Sequence, residues 1–222
     1  MGIEPDDNEP HDPKSPDDPP PRKRYVRKSS RTHNREFKDQ HRFEHWYVSN
    51  QVYFITARCR DKYPAFASEK AKTIFWDRFE HYTKEAKFYP WVISLVNNHY
   101  HILGYAREGE LLGRMIQRLH GSTAKLVNDL LPERLAPFWS EPGHQDYFDR
   151  CIRDEKQCRH AYKYVLTQSI RHGICKNWRN YPHTRRYLQL EPALKLALEL
   201  HAFLDGVPYK RYQKGWKKQK EN

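Results

Sequence analysis

The sequence has few cysteines and no long hydrophobic run. Its four cysteines show neither a Cys-x-x-Cys spacing nor the density of a disulfide-bonded scaffold; they are Cys59, Cys151, Cys158 and Cys175. No stretch approaches the ~18 apolar residues that span a bilayer, and the acidic, proline-rich beginning lacks the pattern of a signal peptide. These absences lead us to expect structural thiols in a protein of the reducing cytoplasm.

Basic residues outnumber acidic ones over most of the chain. The formal net charge is +12 and the pI is near 9.5. Residues 1–20 contain seven acids and one lysine, whereas residues 21–40 contain eight bases and two acids, so residues 41–222 carry the whole excess. This excess favours a polyanionic partner, nucleic acid first; the alternative is a surface that is basic only for solubility. The charge does not separate DNA from RNA.

Composition divides the 222 residues into three segments. Residues 1–40 are nearly free of aliphatic side chains, so we expect a disordered tail that is first acidic and then basic. Residues 45–180 have the aromatic and apolar patterning of one folded domain. Residues 181–222 are expected to form a helix over 192–204 and a basic tail, whose Lys210, Arg211 and Trp216 suit contact with phosphates and unpaired bases.

The apolar spacing in the central segment predicts an α+β fold. Strands are expected over 53–57, 91–96 and 99–105, with a short strand or hairpin formed by 138–139 and 147–148. Helices are expected over 69–84, capped by Ser68, over 110–131, and over 154–170, capped by Asp154. This order predicts a ferredoxin-like antiparallel sheet with helices packed on one face, a disordered N-terminal tail and a basic C-terminal extension.

The tripeptide His99-Tyr100-His101 is the strongest chemical signal. Side chains alternate along a strand, so the two imidazoles point to one face and Tyr100 points to the other. At ~3.3 Å per residue they lie about 7 Å apart along the strand, close enough to bind one metal ion.

A tyrosine and a carboxamide on a later helix could complete a site. Tyr164 and Gln168 are four residues apart and therefore share a helix face. Two imidazoles and an amide oxygen leave metal positions open for a phosphate, and the phenol of Tyr164 would attack that phosphate. Tyr162 is a rival nucleophile, but it lies about 200° around the helix from Tyr164. His160 is a candidate base, although a surface or packing role suits it as well.

These segments resemble a known family. The resemblance spans approximately residues 45–180 and rests on Asn98-His99-Tyr100-His101-Ile102-Leu103, Arg118-Leu119-His120-Gly121 through Asn128, Trp139, Phe148-Asp149-Arg150, and Tyr164-Val165-Leu166-Thr167-Gln168 with Gly173. They look like the IS200-like single-tyrosine transposases, and among them the REP-associated tyrosine transposases.

The resemblance implies an HUH single-strand nuclease with a ferredoxin-like fold and a Mg²⁺ or Mn²⁺ ion. Such enzymes cleave single-stranded DNA beside small hairpins and join it through a 5′-phosphotyrosine. By position, His99, His101 and Gln168 match the metal ligands, and Tyr164 matches the nucleophile. The resemblance also implies a homodimer.

The chain departs from the family pattern at three places. Asn97 stands where the family usually has proline, and Tyr100 is more polar than the usual central residue. After Gln168 the usual Asn-Pro-like sequence is replaced by Ser169-Ile170-Arg171-His172.

Basic residues on the helix over 110–131 are candidates for DNA phosphate contacts. Arg114, Arg118 and Lys125 fall on a common side away from its apolar stripe, which also suits a solvated helix face.

Three functions stay open: a single-tyrosine DNA transposase, a domesticated protein that binds hairpins without cleaving them, and a zinc hydrolase. The zinc hydrolase ranks last, because Glu108 and Glu110 lie beyond the histidine strand.

Overall fold

The computed structural model describes residues 48–140 and 145–204. The predicted tail over 1–40 lies outside them, as do the predicted DNA-binding residues Lys210, Arg211 and Trp216. The strands are β1 (Gln51–Arg58), β2 (Phe88–Leu95), β3 (His99–Ala106), β4 (Phe148–Cys151) and β5 (Thr184–Arg186). The helices are α1 (Glu69–Glu85), α2 (Gly109–Asn128), α3 (Glu155–Leu166), α4 (Gln168–Arg171) and α5 (Leu190–Glu199), and Trp178–Asn180 forms a 3₁₀ turn.

The five strands form one antiparallel sheet in the order β4-β1-β3-β2-β5. The first six major elements follow one another as β1, α1, β2, β3, α2 and β4. Strands β1 and β2 are separated in the sheet by β3, which is the arrangement of a ferredoxin-like fold. The predicted fold class is confirmed.

Helices pack on both faces of the sheet, whereas the sequence analysis predicted helices on one face only. Helices α1 and α2 cover the face that carries Tyr100 and Ile102. Helices α3 and α5 pack against the other face, where Leu103 and Tyr105 lie. All eight residues of β3 are buried, because a central strand covered on both sides exposes neither row of side chains.

Polar side chains begin two of the helices as predicted. The Ser68 side chain accepts a hydrogen bond from the backbone N–H of Ala71 at 3.2 Å, and the Asp154 carboxylate accepts one from Gln157 at 2.7 Å. Each satisfies an N–H that has no partner within the first turn. The starts of α1 and α3 are therefore fixed locally.

Two predicted elements differ in the structure. The helix expected over 154–170 is divided at Thr167, whose φ of −98° and ψ of 10° end α3 before α4 begins. Phe138 and Trp139 form no hairpin with β4 among the described residues; Trp139 makes an isolated bridge to Cys59. Both rings are buried in the core under α1 and α2, so packing determines their conformation.

The sheet and core continue beyond residue 180. Strand β5 pairs with β2, and Ala193 and Leu194 of α5 are buried with residues of α3. Where the domain ends along the chain therefore stays a prediction.

None of the described helices is both long enough and apolar enough to cross a membrane. The four cysteines are free.

His120 on α2 occupies a buried position on the face opposite the histidine pair. The Tyr100 hydroxyl lies 2.8 Å from its Nε2 atom, and the Trp139 ring stacks on it at 4.2 Å. Burial lowers the pKa of His120 from 6.5 to about 3. Tyr100 is one of the residues that depart from the family pattern, and its hydroxyl has His120 as a partner in the core.

We expect the low pKa of His120 to make the fold less stable in acid. The unfolded chain takes up a proton near pH 6.5 and the native site does not, so stability is fully present above that pH and falls as the pH drops toward about 3. His120→Gln should reduce this slope by up to about 1.4 kcal/mol per pH unit in urea unfolding between about pH 4.5 and 6. His160→Gln, at an exposed position, is the control. Equal slopes for wild type and His120→Gln would contradict the assignment.

Candidate functional site

The two predicted histidines lie at the start of β3 on the face covered by α3. Both are buried, with 8% of His99 and 5% of His101 exposed. Their ring centres are 4.9 Å apart and the ring planes are nearly perpendicular. The strand alternation predicted from the sequence therefore brings the two imidazoles together.

Each imidazole is held through its Nδ1 atom. His99 Nδ1 lies 2.6 Å from the Asn98 Oδ1 atom, and the Asn98 amide nitrogen donates to the Lys62 carbonyl at 2.9 Å. An amide oxygen only accepts, so Nδ1 of His99 carries the proton and Nε2 keeps its lone pair. Thr56 Oγ1 lies 2.6 Å from Nδ1 of His101, because these two residues face each other in the β1–β3 pairing.

Burial keeps both imidazoles neutral. It lowers the pKa of His99 to about 4, helped by the nearby His172, while a hydrogen bond with Gln168 acts in the opposite direction. It lowers the pKa of His101 to about 3, helped by His99, His172 and Arg171. Neutral imidazole is the form that binds metals.

Tyr164 of α3 lies beside the histidine pair. Its ring centre is 5.0 Å from that of His101 and 5.9 Å from that of Phe54, and it is 36% exposed. The Arg171 guanidinium lies 4.8 Å from the centre of the Tyr164 ring. The predicted nucleophile is thus accessible and next to positive charge.

The rival Tyr162 is engaged elsewhere. It is buried against the core under α5, and its hydroxyl donates to the Leu188 carbonyl at 2.6 Å. The candidate base His160 is exposed, and no contact with the histidine pair is seen in the described part of the chain. Of the two tyrosines, Tyr164 is the one beside the imidazoles.

Gln168 reaches the site across the break between α3 and α4. Its side chain is buried, and its amide nitrogen donates to the Tyr164 carbonyl at 3.0 Å. That bond leaves the amide oxygen for other partners, and Gln168 lies close enough to His99 to oppose the fall in its pKa. The four residues predicted from the sequence are therefore brought together: His99, His101, Tyr164 and Gln168.

His172 is a site residue that the sequence analysis did not select. Its ring centre is 4.8 Å from that of His99, and it is exposed. The available signal is its position four residues after Gln168, which puts both on the same face of a short helix. The described residues contain no group of three or more His, Cys, Asp or Glu arranged to hold a metal.

The predicted DNA-binding residues of α2 are not part of this cluster. Arg114 and Lys125 are exposed on the helix that covers the opposite face of the sheet. Arg118, on the same helix, forms a salt bridge with Glu85. The DNA-binding role of these residues stays a prediction.

Comparison with known proteins bears on the fold. No protein-family model and no curated protein sequence matches the chain. The solved structure of a REP-associated tyrosine transposase bound to a REP hairpin superposes with a TM-score of 0.54 at 15% identity, covering 65% of this chain and 82% of that one. This chain has the fold of that transposase. A candidate transposase from Deinococcus radiodurans superposes with a TM-score of 0.39 at 12% identity, covering 58% of this chain and 98% of that one.

We expect His99 to be neutral and protonated on Nδ1 near pH 6, because Asn98 accepts that proton and burial lowers the imidazole pKa to about 4. Long-range ¹⁵N–¹H NMR correlation of the histidine rings measures both properties. The exposed His160 supplies a reference signal in the same spectrum. A proton on Nε2 of His99, or a charged ring at that pH, would contradict the hydrogen bond.

Proposed function

We propose that the chain is a metal-dependent single-tyrosine transposase, which cleaves and rejoins single-stranded DNA that contains hairpins. The observation that carries the proposal is the contact between Tyr164 and His101, with His99 and Gln168 completing the cluster. The fold shared with a REP-associated transposase supports the same reaction class. Because that transposase is bound to a REP hairpin, hairpin DNA is the proposed substrate.

Tyr164 would carry the covalent step. Its phenolic oxygen attacks the phosphorus of a phosphodiester, forming a tyrosine–phosphate bond while the bond to the 3′ oxygen breaks. The phenol proton passes to water, and the departing 3′ oxygen takes a proton from water. Attack by a 3′-hydroxyl on the phosphotyrosine reverses these bonds and rejoins DNA. Arg171 would add positive charge beside the attacking phenol, since its guanidinium lies over the Tyr164 ring.

The donor atoms fit a divalent ion. Both imidazoles are neutral and held at Nδ1, so His99 and His101 offer Nε2, and Gln168 offers its amide oxygen. Such partners at Nδ1 orient metal-binding histidines in general. A bound Mg²⁺ or Mn²⁺ ion supplies Lewis-acid polarisation of the phosphate. All three protein ligands are uncharged, so a phosphate oxygen is a complementary anionic ligand.

The second candidate is a protein that binds hairpin DNA without cleaving it. The basic net charge and the same fold support it, and neither requires Tyr164. We also propose the homodimer that the family resemblance implies. Light scattering would then give twice the chain mass of 26.9 kDa.

Incubation with labelled single-stranded hairpin DNA and Mn²⁺ or Mg²⁺ should give a covalent protein–DNA adduct on a denaturing gel. Tyr164→Phe should abolish it, because the attacking oxygen is removed. Tyr162→Phe is the matched control, since it removes a phenol of the same helix that bonds the Leu188 carbonyl, and it should retain the adduct. Tight hairpin binding without any adduct, across many hairpins and both metals, would favour the non-cleaving protein.

Thr56→Val should weaken Mn²⁺ binding by about 10-fold or more, because loss of the hydroxyl frees the His101 ring to turn. Isothermal titration of the protein without DNA measures this. Thr73→Val on α1, whose hydroxyl bonds the Glu69 carbonyl, is the control and should bind Mn²⁺ normally. Equal affinities for Thr56→Val and wild type would contradict the metal assignment at His101.

A further inference from the structure

A long stretch of the chain beside the candidate site contains basic residues and no acidic ones. Between residues 156 and 190 the chain has eight Lys or Arg and no Asp or Glu. This stretch covers most of α3, all of α4, the 3₁₀ turn and β5. Globular proteins normally mix both signs along such a length, so the absence of acids marks this region as a candidate anion-binding surface.

Two arginines of the stretch are neutralised and three are not. Arg159 and Arg185 form salt bridges with glutamates. Within the described residues, no carboxylate lies at salt-bridge distance from Arg171, Arg179 or Arg186. These three guanidinium groups keep their charge for a partner; Arg171 already donates through its Nε atom to Thr167 Oγ1 at 3.2 Å.

An indole holds two of these guanidinium groups. The centre of the Trp178 ring is 4.7 Å from the Arg179 guanidinium carbon and 5.3 Å from that of Arg186. Both distances are in the range of cation–π attraction. Trp178 therefore restricts two long side chains that would otherwise move freely, and it presents them as a preordered pair.

This arginine pair lies on the same side of the sheet as the histidines. Arg186 faces Val92 across the β2–β5 pairing, and the Val92 side chain packs in the core beneath α3. The 3₁₀ turn with Trp178 packs against α4, which ends at Arg171 over the Tyr164 ring. Three arginine–aromatic contacts, two on Trp178 and one on Tyr164, thus follow one another from the edge of the sheet to the candidate site.

We propose that Arg179 and Arg186, held on Trp178, bind phosphates of a single DNA strand and that Arg171 continues this surface to Tyr164. The inference rests on the proposed function for the identity of the strand. Guanidinium groups bind phosphate in a bidentate manner, and exposed aromatic and guanidinium planes suit the unstacked bases of a single strand. The α2 cations Arg114 and Lys125 lie on the helix across the sheet.

The test is fluorescence anisotropy of the full chain with a labelled single-stranded oligonucleotide, in EDTA so that no cleavage occurs. The double variant Arg179→Gln/Arg186→Gln should bind about tenfold more weakly at about 0.1 M salt, with a log–log salt slope shallower by about 1.4, as expected for two lost phosphate contacts. Trp178→Ala should weaken binding about threefold because the guanidinium groups lose their support, and Trp178→Phe should restore part of it.

Lys70→Gln/Lys84→Gln is the matched control, because it removes the same charge from exposed positions of α1, on the opposite face of the sheet, and should leave binding within about twofold. Circular dichroism and thermal unfolding confirm that each variant is folded. Wild-type affinity and slope for the Arg179/Arg186 variant, or an equal loss for the α1 control, would overturn the proposal. Tighter binding of RNA of the same sequence, or equal binding of a blunt duplex, would overturn the assignment to single-stranded DNA.

The two proposals fail in different ways. If the binding losses appear but no Tyr164-dependent adduct forms on hairpin DNA, the strand surface stands and the transposase reaction is wrong. If the adduct forms and the arginine variant binds normally, the reaction stands and the strand surface is wrong.

Discussion

The pairing of β1 with β3 is the constraint on which the candidate site depends. It places Thr56 opposite His101, where the hydroxyl meets the imidazole Nδ1 atom. A shift of one residue would turn the histidine pair toward α1 and α2, away from Tyr164. Because β3 is buried on both faces, such a shift would also bury the wrong side chains, so the core enforces the register.

The helices on the second face of the sheet bring other side chains to His99 and His101. Helix α3 brings Tyr164 against His101, and the break at Thr167 lets α4 bring Gln168 and His172 to His99. The same cover removes water from the imidazoles, so their pKa values fall and they stay neutral. The helix packing that brings these residues together therefore also keeps the two imidazoles neutral.

The positively charged side chains differ between the two faces of the sheet. On α2, Arg118 is paired with Glu85, and that helix covers the face without the histidines. The face with the histidines has guanidinium groups held on aromatic rings, Arg171 on Tyr164 and Arg179 and Arg186 on Trp178. An anionic strand would meet ordered cations before it reaches the phenol, which lowers the conformational entropy lost on binding.

The sequence by itself determined what depends on spacing along the chain. Alternation placed His99 and His101 on one face, helical periodicity favoured Tyr164 over Tyr162, and the order of elements indicated the ferredoxin-like sheet. Only the tertiary structure decided which distant segments meet those residues. Thr56 reaches His101 because of the strand register, and Trp178 reaches Arg186 because a turn packs at the edge of the sheet. The second layer of helices is present because both faces of the buried strand β3 must be covered. Contacts between residues far apart in sequence leave no periodic signal in it, since they are set by how whole elements pack.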